Sequence, residues 1–254
     1  RILTYNVHSC RGTDGKRDPA RIAEVIARCE PDIAALQEVD VGRARSGGVD
    51  QAQLIAAHLR MDSHFHPALH LEEEQYGDAI LTALPARLVR AAPLPSSGEP
   101  RGAIWVAVDV GGAELQVINT HLGLWRRERI AQVATLLGPG WLGSEECREA
   151  PTVLLGDFNA VPSSLPYRTL ARHGRDVQAE ASPRPKATFP SRLPLLRLDH
   201  IFVGEGIRVV AAEVLADGLA RRASDHLPLL SILAVPVRPR AEDEVSRPPV
   251  SSRA

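Results

Sequence analysis

The stretch Val153-Leu154-Leu155-Gly156-Asp157-Phe158-Asn159 is a wholly apolar run that stops abruptly in polar side chains. A short run of branched aliphatic residues without polar alternation reads as a strand covered on both faces. Asp157 and Asn159 stand two apart, so on an extended backbone both point the same way while Phe158 turns into a core. The pattern recurs along the chain: Leu3-Thr4-Tyr5 leads to Asn6, Ala35-Leu36-Gln37 to Glu38, and Val117-Ile118-Asn119-Thr120 to His121. If these four strand ends lie side by side they build one polar crater at a sheet edge, where ligand sites commonly form. Asp199-His200 and Asp225-His226 sit beside late strands and could close it. Asp225 and His226 both reach one site only if residues 224–227 form a loop leading into the strand after Pro228.

Working outward, strands are expected at 2–5, 33–36, 79–84, 104–110, 115–118, 153–155, 198–203, 209–214 and 229–235, with a hairpin turn at Gly111-Gly112 that indicates antiparallel pairing. Asp18-Pro19 places an N-cap before a first-turn proline, and Ile22, Val25, Ile26 and Cys29 follow at helical spacing. Further helices are expected at 50–59, 126–137 and 166–172, and loops at 93–100 and 183–194. Residues 1–235 read as one domain. Residues 236–254 alternate proline, arginine and acid with almost no large apolar residue, the composition of a disordered tail.

Composition narrows the function classes. The 20 prolines and 19 glycines of the 254 residues suit many short elements joined by turns and disfavour a helical bundle. Thirty basic against 31 acidic side chains leave no overall cationic field for a long polyanion. Three cysteines without C-x-x-C spacing exclude a zinc ribbon and favour reduced thiols, hence a cytoplasmic protein. No apolar run reaches the roughly 18 residues of a membrane span. A monomer is expected.

Carboxylates with amide oxygens and no cysteine form a donor set suited to a hard divalent cation such as Mg²⁺. The ordered series T-Y-N, L-Q-E-V-D, N-T-H-L, G-D-F-N-A, L-D-H-I-F and S-D-H-L-P resembles the endonuclease/exonuclease/phosphatase superfamily of DNase I-like, metal-dependent phosphoesterases. The resemblance covers about residues 1–235, and the Y-G-D-A-I-L, E-P-R-G-A and T-F-P-S-R blocks look most like its compact bacterial branch. Asp78 departs from that branch, which usually carries Asn there.

The resemblance implies an α/β fold, a four-layer sandwich of two packed, mainly antiparallel β-sheets flanked by helices. It implies Mg²⁺ or Mn²⁺ held chiefly by Glu38, helped by Asn6 and Asp225. Asp157 would orient or deprotonate the attacking water, Asn159 would hold water and phosphate, and His226, positioned by Asp199, would donate to a phosphoryl oxygen. His121 would contact the phosphate from the opposite side. Arg101, Trp125 and Arg126 are candidate substrate contacts, His8 a candidate rim residue, and His200 is read as structural. The implied activity is hydrolysis of a phosphoester, either diester or monoester, with DNA or RNA and phospholipid headgroups as alternative substrates. A non-catalytic phospho-ligand module and a zinc hydrolase using His64, His66 and His70 are the competing readings.

Overall fold

The apolar runs become strands of two sheets, and the connections between them become helices on the outer faces. In this computed structural model residues 1–71 and 74–236 are described. In chain order the elements are β1 (Ile2–Asn6), α1 (Pro19–Cys29), β2 (Ile33–Val41), α2 (Gln51–Leu59), β3 (Asp62–Leu71), β4 (Glu74–Thr82), β5 (Ala86–Leu94), β6 (Arg101–Asp109) and β7 (Glu114–His121). They continue with α3 (Arg126–Leu136), α4 (Glu145–Glu149), β8 (Thr152–Asp157), α5 (Leu165–Leu170), β9 (Arg175–Asp176), α6 (Val177–Ala181), β10 (Asp199–Val203), β11 (Arg208–Val214), α7 (Ala220–Ala223) and β12 (Leu229–Ala234). The first sheet runs β11-β12-β1-β2-β4-β3 and the second β5-β6-β7-β8-β10-β9. Pairing is antiparallel except for β1 with β2 and β7 with β8, one parallel pair at the centre of each sheet.

Alternation along the strands assigns each side chain to a layer. Val153 and Leu155 of β8 face the core between the sheets, together with Val106 and Val117, while Leu154 faces outward into a second cluster. That second cluster joins Trp105, Ile118, Phe158 and Phe202 to Val133 and Leu136 of α3 and Leu170 of α5. Ile22 and Ile26 of α1 and Ile55 of α2 pack on the first sheet. Both sheets are therefore covered on both faces, giving the four layers and explaining why several strands lack polar alternation. Asp18 caps α1, its side chain accepting from Arg21 N, and Gly111 and Gly112, with φ of +82° and +96°, make the turn between β6 and β7. All three cysteines are buried and unpaired.

Several elements differ from expectation. The segments forming β3 and β5 lack a clear hydrophobic alternation. Both are edge strands, which receive their order from a neighbour on one side only. β5 extends through Leu94, into a segment expected to be loop, because Pro93 sits at a sheet edge where its missing N–H costs no pairing. The expected tail lies outside the described residues apart from Pro236.

Topology also places the crater. A parallel pair carries the ends of both its strands to one edge, so Asn6 lies beside Gln37-Glu38, and His121 pairs with Asp157. An antiparallel neighbour contributes its start at that same edge: Asp199 opens β10 opposite Asp157, Arg101 opens β6 near His121, and His226 precedes β12 beside the end of β1. The two sheets are joined there by buried amides. Gln37 Nε2 donates to Asn119 Oδ1 (2.8 Å) and to Thr4 Oγ1 (3.1 Å), while Asn119 Nδ2 donates to the carbonyls of Leu36 and Ala79, each at 2.9 Å. Replacing Asn119 with Ala strands those carbonyls without water, so Asn119→Ala should lower unfolding stability by about 2–4 kcal/mol. Urea denaturation measures this, and an unchanged midpoint would contradict the role of the cross-sheet tie.

Candidate active site

The carboxylate of Asp157 is the point on which the site converges. Gly156, at φ +145°, bends the end of β8, and a Cβ there would lie 1.8 Å from Thr120 O, so only glycine lets β8 approach β7 this closely. Asp157 is 1% exposed; its Oδ2 accepts from Asn6 Nδ2 at 3.0 Å and its Oδ1 from Asn159 N at 2.9 Å. His121 Nε2 and His226 Nε2 approach Oδ2 at 3.4 and 3.6 Å. Glu38 reaches the same place through an irregularity of β2. The register with β4 slips between Leu36 and Val39, and Glu38 adopts φ +60°, which turns its side chain to the crater, where Asn6 Nδ2 donates to Oε1 at 2.9 Å. Asn159 is likewise left-handed, at φ +46°. Non-glycine residues held in this region persist only where their surroundings fix them, and here both line the crater.

His226 is oriented from behind. A carboxylate only accepts, so the 2.9 Å contact between His226 Nδ1 and Asp199 Oδ2 places a proton on Nδ1 and turns Nε2 to the cavity. The loop carrying it is pinned to residues 188–191: Leu227 N donates to Thr188 O and Ser191 N to Asp225 O, and the Phe189 ring lies 4.8 Å from the imidazole. Burial opposes the charge on His226, but Asp199 and Asp157 outweigh it and raise the pKa to about 10. Burial pushes the Asp157 carboxyl up to about 6 despite the lowering influence of His226. His121 moves the other way: burial, then the charges of Arg101 and His226, hold it well below the usual imidazole range. Both ring nitrogens of His121 face donors, Nδ1 the Arg101 Nη1 at 3.3 Å and Nε2 the Asn159 Nδ2 at 3.1 Å, and Nε2 also lies 3.4 Å from Asp157 Oδ2.

The crater has a volume of about 510 Å³ and is lined by His8, Glu38, Arg101, His121, Asp157, Asn159, Asp225 and His226, among others. Asp199 lies behind His226. Asn6 is fully buried beneath Glu38 and Asp157. Because His8 N donates to its Oδ1, Asn6 presents its amide nitrogen to the two carboxylates. Asp225 is half-exposed at the rim, 3.5 Å from His8 Nδ1. Trp125 and Arg126 are exposed on the segment after β7, whose Leu124 reaches the cavity wall. His200 lies on the other face of β10, its Nδ1 3.2 Å from Asp176 Oδ2 and its Nε2 2.8 Å from Ala160 O. His64 and His66 do not line the crater, His66 packing against Gly102, and the side chain of His70 is outside the described residues.

Two sets of groups could hold a cation. Asp157, Asp199 and His226 bring one ligand atom each within 4.8 Å of one another. Asp199 Oδ2 and His226 Nδ1 bond each other there, leaving Asp199 Oδ1 without a partner among the described residues, whereas Glu38 offers a carboxylate to the open crater with Asp225 on the rim. Oxygen donors without a thiolate fit a hard divalent cation at Glu38.

Sequence reasoning missed the tie between Gln37 and Asn119, the ring of Phe189, and the cations Arg11, Arg17 and Arg45 on the crater wall. Gln37, Asn119 and Phe189 lie inside the quoted motif blocks, but nothing in one sequence separates a residue that faces the crater from one that braces it.

Two packed six-stranded sheets with acidic and imidazole groups gathered at one edge define a DNase I-like α/β fold. The chain belongs to the Endonuclease/Exonuclease/phosphatase family, whose profile matches residues 3–226. A relative from Escherichia coli (strain K12), the uncharacterized protein YbhP, is 33% identical over 247 residues, covering 90% of this chain and 94% of that protein. Among solved structures, an endonuclease/exonuclease/phosphatase from Beutenbergia cavernae DSM 12333 superposes with a TM-score of 0.74 at 26% identity, covering 92% of this chain and 71% of that one. The mannosyl-6-phosphatase of Bacteroides thetaiotaomicron VPI-5482 superposes with a TM-score of 0.73 at 21% identity, covering 92% and 98% of the two chains. No helix among the described residues is long and apolar enough to cross a membrane.

Asp78 gives a pH test. It is buried on β4, and burial raises its carboxyl to about 8, with Arg101 lowering it and Glu38 raising it further. A carboxyl whose folded value exceeds its unfolded value of about 3.9 costs stability as pH rises from there through about 8. Asp78→Asn removes that cost, so its stability relative to the parent should increase between pH 5 and pH 9. Thermal unfolding across that range measures it, and a pH-independent difference would show that the buried charge is compensated.

Proposed function

We propose that this chain hydrolyses a phosphoester by attack of a water activated at Asp157, with Mg²⁺ or Mn²⁺ as cofactor. The observation that carries the reading is the convergence of Asn6, Asn159, His121 and His226 on one buried carboxylate, with Glu38 beside it. When bound, the cation would supply positive charge to the phosphoryl group, and Glu38, with Asp225 on the rim, would hold it, while Asn6, whose amide nitrogen faces Glu38 and Asp157, orients those carboxylates and is not the ligand expected from the resemblance.

The remaining chemistry belongs to the chain's own residues. Asp157, raised towards neutrality, accepts a proton from water, and a base with a value near the working pH serves best. The water oxygen bonds to phosphorus, the P–O bond to the leaving group breaks, and the leaving oxygen ends with a proton, so one water is consumed per ester. His226, held protonated by its carboxylates, donates from Nε2 to the oxygen on which charge develops. Asp199 keeps the ring in the orientation that makes this donation available. His121, held neutral, lines the opposite side of the substrate cavity, and Asn159 fixes the position of Asp157 through its backbone N–H. Arg101, 6% exposed and without a partner for its Nε among the described residues, faces the same cavity and supports a role in gripping the substrate anion.

Purified protein should cleave bis-p-nitrophenyl phosphate with added Mg²⁺ or Mn²⁺ and lose that activity in EDTA. Glu38→Ala and His226→Ala should each lower kcat by about 100-fold or more. Turnover that persists without metal and survives both substitutions would exclude this mechanism.

A further inference from the structure

Five of the nine exposed large apolar side chains among the described residues, including the four most exposed, lie on two segments beside the crater, while Leu54, Leu88, Leu165 and Val210 are elsewhere. Leu124 and Trp125, each 68% exposed, follow β7, and Leu193, Leu195 and Leu196, at 67%, 70% and 42%, precede β10. In the sheet order β7-β8-β10 these two segments flank the strand that carries Asp157. The second segment is a braced turn. Leu195 N and Leu196 N both donate to Phe189 O, and Arg221 Nη1 donates to the carbonyls of Ser191 and Arg192. The leucines thus stand on an ordered base whose Phe189 contacts His226.

Cations accompany both segments. Arg126 and Arg127 follow Trp125, exposed and without an ion pair among the described residues. Arg192 Nη2 donates to Thr13 O, joining the leucine turn to the loop that presents Arg11 and Arg17, two further exposed and unpaired arginines on the crater wall. Residues 187–197 contain no acid, and Glu128 beside Trp125 is buried, accepting from Ser97 N. Leucine and tryptophan tips interspersed with arginine suit a bilayer interface carrying anionic headgroups.

We propose that these two segments seat the crater on an anionic phospholipid surface, so that its substrate is a phosphoester presented at that surface. The substrate half of this statement rests on the phosphoesterase reading, whereas docking does not. A protein partner spanning both segments would cover the crater mouth and obstruct it, while a lipid surface delivers substrate through the same contact.

Two of the three tryptophans, Trp105 and Trp141, are buried, so vesicle-induced change in tryptophan emission reports Trp125. With vesicles of phosphatidylcholine and phosphatidylglycerol the full chain should cosediment and its emission shift to the blue, the shift disappearing in Trp125→Phe. Phosphatidylcholine alone should bind several-fold less. A Leu193→Ser/Leu195→Ser variant should bind the anionic vesicles several-fold more weakly, yet cleave bis-p-nitrophenyl phosphate in lipid-free buffer at the parent rate. Absence of vesicle binding, or equal binding by the variant, overturns the proposal. So does a lipid-free dimer that the same variant dissolves, which would assign the leucines to a protein contact. Vesicle binding by a protein that turns over no soluble ester supports docking while refuting the phosphoesterase reading, so the two fail separately.

Discussion

The hydrogen bond from Gln37 Nε2 to Asn119 Oδ1 crosses between the two sheets one residue before Glu38 and two before His121. Apolar packing between sheets is non-directional and tolerates sliding, whereas amides buried without water must meet their partners at fixed distances. Asn119 also reaches the carbonyls of Leu36 on β2 and Ala79 on β4. The relative position of the sheets is thereby fixed where the crater opens. The spacing of Glu38 from His121 and Asp157, on which any shared chemistry depends, follows from this tie.

Above the tie, charge is arranged by pairing. Asp157, Asp199 and His226 are all buried, an expensive arrangement for isolated ions, but one imidazolium between two carboxylates offsets the cost for all three. His121 is held neutral by burial, with the charges of Arg101 and His226 acting in the same direction and no carboxylate outweighing them. Two histidines with the same intrinsic chemistry are thus driven to opposite protonation states by which neighbours each faces. The left-handed backbone at Glu38 and Asn159 belongs to the same design, since a regular strand would turn Glu38 away from the crater.

Much of this was legible in the sequence. Strands apolar on both faces signalled covered sheets, and the polar ends of β1, β2, β7 and β8 announced a shared edge. The capped helix at Asp18-Pro19 and the diglycine turn between β6 and β7 rested on local chemistry that tertiary context did not override. What escaped depended on partners distant in the chain. β3 and β5 carry no clean alternation because they are edge strands, half-exposed along much of their length. Gln37 and Asn119 are 82 residues apart, and neither has a pattern that marks it as half of a cross-sheet contact. Phe189 reads as one aromatic in a proline-rich loop until the fold lays it on His226. Leu193, Leu195 and Leu196 carry no sequence signal of their exposure, which is a property of the finished surface.

The two central parallel pairs have a kinetic meaning beyond their geometry. Parallel strands cannot be joined by a tight turn, so β1 must await β2 across α1, and β7 must await β8 across α3 and α4. The strand closing the first sheet against β1 is β12, at the far end of the fold, and it brings His226 with it. Such long-range closures form late, because their loop entropy is lost before their contacts are gained. A nascent or truncated chain lacking β12 therefore holds Asn6, Glu38, His121 and Asp157 but no imidazolium beside them. The crater is thus completed only when the last of the described strands closes the first sheet.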